Sequence, residues 1–139
     1  MTVVTPTVQT QYTPGLQMPN AKEIADSLFG LKNLNAQHSI TAFAGGGQTS
    51  AVQLLNGVNE ISVAASSSDS VKLPPNSPGS VVFLANNGAQ TVKVFAYEAT
   101  GTVPTIDGTA GTTGVNLATA KNAWYVNVGN NKWESILTA

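Results

Sequence analysis

The sequence contains no cysteine and no arginine among its 139 residues. Without cysteine, the chain can form no disulfide, no thiolate metal site and no cysteine nucleophile. Without arginine, it lacks the planar guanidinium group that binds phosphate or carboxylate through two parallel hydrogen bonds. Six lysines stand against seven acidic residues, for a net charge of -1. We therefore expect no nucleic-acid partner, because such proteins carry a basic surface.

Charged residues and long apolar runs are both scarce. Charged residues make up 9% of the chain, against about 25% in an ordinary soluble domain. Thr, Ser, Asn and Gln take their place and supply 47 residues together. The longest apolar run, Val81–Ala85, is far shorter than the roughly 18 residues that a membrane helix needs. Because no basic segment precedes an apolar one near the N-terminus, we expect neither a secretory signal nor a membrane partner.

The composition divides the chain into an N-terminal part, residues 1–36, and a β-rich domain, residues 37–139. Residues 1–18 are rich in Thr, Gln, Val and Pro, which favour an extended arm. A disordered tail is an equally open interpretation, since chain termini are often loose. A short helix is predicted over Asn20–Phe29, where Asn20 and Glu23 form a capping-box pattern.

Several apolar side chains of this N-terminal part have no pattern that would bury them within one subunit. A helix of about ten residues is also marginal alone in water, so its apolar face needs a surface to rest on. We therefore predict that these side chains dock on a neighbouring subunit or another partner. The predicted docking residues are Val3, Val4, Val8, Tyr12, Leu16, Ile24 and Leu28.

From about residue 37, short segments rich in Val, Ile and aromatic residues alternate with turn signals. Their spacing of roughly 8 to 12 residues predicts an all-β domain, an antiparallel β-sandwich or barrel of jelly-roll type. No sequence repeat with a period of 20 to 50 residues is visible. The predicted strands are His38–Ala44, Ala51–Leu55, Glu60–Ala65, Ser70–Leu73, Ser80–Ala85, Thr91–Tyr97, Val115–Leu117, Trp124–Val128 and Trp133–Leu137.

Turn residues support the β interpretation. Asn87-Gly88 between two apolar runs predicts a hairpin with a type I′ turn. Gly129–Asn131 predicts a second hairpin, joining the two strands that contain tryptophan. Pro74–Gly79 predicts a stiff loop, and Gly101–Gly114 a long loop or a weak edge strand.

No residue pattern indicates catalysis or metal binding. His38 has no neighbouring ligand in sequence, and Gly45–Thr49 lacks the lysine that a phosphate-binding loop requires. Ser66–Ser70 lacks the several carboxylates of a calcium loop and is expected to be a solvated turn. The acidic residues of the β region are scattered singly, so a glycosidase-like pair would have to be assembled by folding. We expect no catalytic residue, no metal and no cofactor.

The aromatic residues of the β region allow two interpretations. Trp124, Trp133, Tyr97 and Tyr125 could form a platform for a sugar ring, or they could belong to the core of the domain. The core is favoured, because aromatic side chains bury large areas in small β domains.

Several segments of the β region together resemble a known family. They are Asp69–Pro74, Pro78-Gly79, Val82–Gly88, Val92–Phe95, Ile106–Gly108 and Asn131–Trp133. The pattern resembles the small β-domain of tailed-bacteriophage virion proteins, notably capsid decoration (cement) proteins and some tail-fibre proteins. The resemblance covers about residues 49 to 137.

The resemblance implies a non-enzymatic structural protein on the capsid surface of the virion, a homotrimer that binds the major capsid protein and stabilises the head. Docking through residues 1–18 would suit that function, because an extended arm can add main-chain hydrogen bonds to a neighbour. Two alternatives stay open. One is a tail-fibre or tail-spike component that binds a host receptor or glycan, and the other is an enzyme such as a glycan hydrolase.

Overall fold

The structure, a computed structural model, describes residues 35–138, a range made only of β-strands and the turns between them. The predicted helix at Asn20–Phe29, the arm of residues 1–18 and all seven predicted docking residues lie outside the described range. The strands are β1 (Ala36–Thr41), β2 (Val52–Gln53), β3 (Val58–Val63), β4 (Ser70–Lys72), β5 (Val81–Asn86), β6 (Val92–Phe95), β7 (Thr105–Ile106), β8 (Thr109–Ala110), β9 (Val115–Leu117), β10 (Lys121–Gly129) and β11 (Lys132–Leu137).

The strands form two sheets. Sheet A has seven strands in the order β1-β3-β5-β10-β11-β7-β8, and sheet B has four in the order β2-β4-β6-β9. The first six strands alternate between the sheets, so that β1 with β2, β3 with β4 and β5 with β6 each make one coil. Within each sheet these three coils pair in parallel. The molecule is therefore a β-solenoid of stacked coils.

The predicted antiparallel sandwich or barrel is wrong, although the all-β class is correct. Turn signals every 8 to 12 residues suit a hairpin, but they equally suit a corner that sends the chain to the opposite sheet. The Asn87-Gly88 turn is such a corner, because β5 belongs to sheet A and β6 to sheet B. The hairpin predicted at Gly129–Asn131 is confirmed by the antiparallel pairing of β10 with β11.

A structural repeat is present where the sequence shows none. In sheet A, Ala36 pairs with Val58, and Val58 pairs with Phe83, steps of 22 and 25 residues. The repeat is hidden because the loops differ in length and because few of the stacked positions keep the same residue.

Stacked apolar residues hold the coils together. In sheet B, Val52, Val71, Val94 and Val115 pair in turn, giving a ladder of four valines from β2 to β9. β-Branched side chains suit this position because they pack well on a pleated surface. The core lies between the two sheets, and its largest buried side chains include Trp133, Tyr125, Leu54, Ile61, Leu73 and Leu84.

The chain reverses direction after the third coil. β10 pairs antiparallel with β5, and β9 pairs antiparallel with β6. The region Gly101–Gly114, predicted as a loop or weak edge, contains the two-residue strands β7 and β8. β5 is flanked by β3 and β10, which suits its continuous apolar sequence.

Candidate protein-binding face

The two faces of β10 differ in burial. Tyr125 and Asn127 point into the core and are buried, whereas Trp124, Val126 and Val128 point to the outer side of sheet A. The two sets alternate along the strand, and the more polar one faces inward. Sheet A consequently carries apolar side chains on its outer face.

One row of apolar side chains crosses five strands on this outer face. Phe83 pairs with Val58 on one side and Trp124 on the other, and the row continues to Ala36 and Ile136. Trp124 is 37% exposed and Ile136 is 65% exposed. At about 4.8 Å between strands the row is about 19 Å long. Exposed apolar surface that is continuous in this way is typical of a contact surface for another molecule.

The centre of the face is an apolar quartet, which we define as Val81, Phe83, Trp124 and Val126. Val81 pairs with Val126, and Phe83 pairs with Trp124. The rings of Phe83 and Trp124 contact each other, with centroids 4.9 Å apart and planes at 56°. This tilted contact fixes both aromatic side chains, so that the quartet forms a preorganised surface.

Three charged residues lie around the quartet. Glu60 of β3 stands on one side, in the row of Ala85, and its Oε1 accepts a hydrogen bond of 2.8 Å from Asn87 Nδ2. Lys132 and Glu134 of β11 stand on the other side and are exposed. The face thus has an apolar centre with charges of both signs at its border.

The predicted aromatic residues separate into two groups. The core interpretation is confirmed for Trp133 and Tyr125, which are 0% and 1% exposed. Trp133 Nε1 also donates a 2.7 Å hydrogen bond to Asn76 Oδ1. Burial raises the pKa of Tyr125, and the negative charge of Asp107 raises it further. Of the four residues, Trp124 is the one that lies on the outer face of sheet A.

A second cluster of polar groups lies on sheet B. Lys72 Nζ donates hydrogen bonds to Glu98 Oε1 at 2.9 Å and to Glu98 Oε2 at 3.0 Å. It also donates to the carbonyl of Thr49 at 3.2 Å and lies 5.7 Å from the centroid of the Tyr97 ring. Partial burial raises the pKa of Glu98, but the hydrogen bonds and the charge of Lys72 outweigh burial and hold this pKa below its usual range. These contacts use all the hydrogen-bond donors of the ammonium group, so the cluster stabilises the fold and is not a binding site.

The serine-rich turn is organised by Asp69. Its Oδ2 accepts hydrogen bonds from the amides of Ala65 and Ser66 at 2.7 and 3.2 Å, and its Oδ1 accepts one from Ser66 Oγ at 2.9 Å. Burial raises the pKa of Asp69, but these hydrogen bonds outweigh burial and lower it. The expected solvated turn is confirmed for the exposed residues Ser66–Ser68, whereas Asp69 is buried beneath them.

Other sequence candidates are not brought together. His38 is exposed and contacts the hydroxyl of Ser39. Within residues 35–138, no three residues among His, Cys, Asp and Glu come close enough to hold a metal ion.

The same part of the chain contains no helix that is long and apolar enough to cross a membrane. A small cleft of about 240 Å³ is lined by Asn116, Leu117, Ala118, Lys121, Leu137 and Thr138.

Comparison of the chain with protein-family models, with curated proteins and with solved structures finds no match.

Proposed function

We propose that the chain is a non-enzymatic structural protein of the tailed-phage virion, a decoration protein that binds the outer surface of the head and stabilises the capsid. The observation that carries the proposal is the apolar outer face of sheet A, since a surface of this kind serves contact with protein. Its partners would be the major capsid protein, bound through the docking residues predicted in the N-terminal part, and further copies of the same chain, for which the outer face of sheet A remains available. The homotrimer implied by the resemblance stays a prediction, and capsid binding does not depend on the number of copies that associate.

The positions of the resembling segments support the proposal. Asp69 organises the turn before β4, and Asn86 donates hydrogen bonds of 2.9 Å to the carbonyls of Gln90 and Leu117. Trp133 of β11 is fully buried in the core. These residues build the solenoid, so a family that shares them would share its fold rather than a catalytic site.

The alternative function, binding of a glycan by a tail-fibre or tail-spike component, has one favourable feature in the exposed ring of Trp124. A sugar site also needs convergent polar groups that fix orientation. The cross-strand neighbours of Trp124 on this face, Phe83 and Ile136, are apolar, and Asn122 is the one polar neighbour along β10. The composition of the face therefore favours protein over saccharide.

Co-sedimentation with purified heads of the phage that encodes the chain tests the proposal. We expect saturable binding at a fixed number of sites per head and a higher disruption temperature for decorated heads. The full chain with Val3→Ser, Val4→Ser and Val8→Ser should bind more weakly. The matched control carries Thr2→Ser, Thr5→Ser and Thr7→Ser. Absence of binding to heads, together with specific binding to host-surface glycans, would replace the proposal with its alternative.

A further inference from the structure

We propose that two copies of the chain pair through the outer face of sheet A, about a two-fold axis that passes through the apolar quartet. The inference deepens the proposed function, on which it rests only in treating this face as a protein contact. It names a second copy of the chain as the occupant of the face.

The quartet supplies the centre of the interface. Its four side chains lie on the two adjacent strands β5 and β10, two residues apart along each strand. Their common centre therefore lies midway between these strands. An apolar, preorganised centre with polar groups at the border is the usual anatomy of a specific protein interface.

The charged border shows why the partner is a second copy. Glu60 lies one strand beyond β5, in the row of Ala85, which is two residues past Phe83. Lys132 lies one strand beyond β10, opposite Gly129, and two outward positions before Ile136. With about 4.8 Å between strands and about 6.7 Å per two residues, both lie about 12 Å from the quartet centre, in opposite directions.

This placement is complementary to itself under a two-fold rotation. The axis lies in the plane of the face, passes through the quartet centre and is perpendicular to the line from Glu60 to Lys132. Rotation by 180° about this axis places Glu60 of each copy over Lys132 of the other. The same rotation places Glu134 near Ala85 and Asn122, neither of which is charged. Because the contact is isologous, each opposite-charge pair forms twice.

The size of the face indicates a reversible dimer. Five strands by three outward positions along the strand cover roughly 400 Å² on each copy. A standard interface takes roughly 800 Å² from each partner, so the pairing should be weak and dependent on concentration. The two-fold contact produces a dimer, whereas the homotrimer is implied by the resemblance alone.

Sedimentation velocity of the purified full chain, without heads, tests the pairing. We expect the mass to rise with concentration from the 14.3 kDa monomer to twice that value. Glu60→Lys and Lys132→Glu should each raise the dissociation constant at least about tenfold, because each places like charges together. The double variant, which exchanges the two charges, should return to within about threefold of the original value.

Two control variants separate the pairing from general effects. Lys93→Glu makes the same change of charge on sheet B, and Asn87→Ala removes the hydrogen bond to Glu60 without changing charge. Both should leave the dissociation constant within about threefold. A monomer at all concentrations, a trimer, or a double variant as weak as the single ones overturns the inference. Since no heads are present, these results are independent of the capsid-binding experiment.

Discussion

Lys72 and Glu98 form an ion pair that connects all three coils of the solenoid. Lys72 belongs to the second coil, Glu98 follows the third, and the same ammonium group donates to the Thr49 carbonyl of the first. The side chain of Lys72 is 11% exposed and that of Glu98 is 36% exposed. The carboxylate is thus partly hydrated, while the ammonium is largely withdrawn from water.

Lys72→Met should therefore lower the free energy of unfolding by about 1–3 kcal/mol, because it removes charged hydrogen bonds from the carboxylate and from a main-chain carbonyl. Lys93→Met, a matched change at a half-buried position of the same sheet, should cost less than about 0.5 kcal/mol. Urea unfolding at neutral pH measures both. Equal losses for the two variants would show that the contacts of Lys72 do not join the coils.

Acid should weaken the fold through Asp69 and Glu98. The pKa values of both carboxyls lie below the ordinary values of 3.8 for Asp and 4.5 for Glu. A carboxyl whose folded pKa is depressed stabilises the fold above its unfolded pKa, and this contribution disappears as the pH falls through the folded value. Stability should thus be constant above about pH 5 and fall below pH 4.5. Urea midpoints against pH should show a smaller acid loss for Glu98→Gln, and an unchanged acid loss would contradict this assignment.

Gly88→Ala should destabilise the corner between β5 and β6. A Cβ at Gly88 would lie 2.7 Å from both the Cβ and the main-chain nitrogen of Ala64 in the preceding coil. Because a main-chain atom cannot move without shifting the coil, we expect a loss of about 1–3 kcal/mol. Gly47→Ala is the control, since a Cβ there meets no atom within 4 Å. Thermal unfolding of the two variants should differ clearly, and similar melting temperatures would refute the close stacking.

The two tryptophans should contribute unequally to stability. Trp133→Ala removes a fully buried side chain and should cost about 3–5 kcal/mol. Trp124→Ala changes a side chain that is 37% exposed on the outer face, so its cost should stay below about 1.5 kcal/mol. Urea unfolding followed by circular dichroism at low protein concentration compares them in the monomer. A larger loss for Trp124→Ala would place that ring in the core, against the structure.

Local sequence signals predicted the strands but not their neighbours. All nine predicted strands overlap strands of the structure, since alternation and turn residues act within a few positions. The pairing of Val58 with Phe83 depends on a corner that directs the chain to sheet B rather than back along β5. No residue pattern at Asn87-Gly88 distinguishes that corner from a hairpin, so the parallel stacking could not be derived.

The candidate face was hidden for the same reason. Phe83 and Trp124 each occupy an alternating position that the sequence shows, but they lie on strands separated by the whole of β6 to β9. Only the register of β5 with β10 makes them neighbours. Asn127 is buried at the end of β10, where its side chain accepts a local hydrogen bond from the amide of Gly129 at the hairpin.

The valine ladder has a mechanical consequence. Val71 pairs with Val52 in the coil before and with Val94 in the coil after, so a force applied at the N-terminal end of the described range would open one coil at a time. A coil of about 22 residues would release about 75 Å of extended chain as it opens. The protein would then yield to load in steps and lengthen, with the remaining coils still folded.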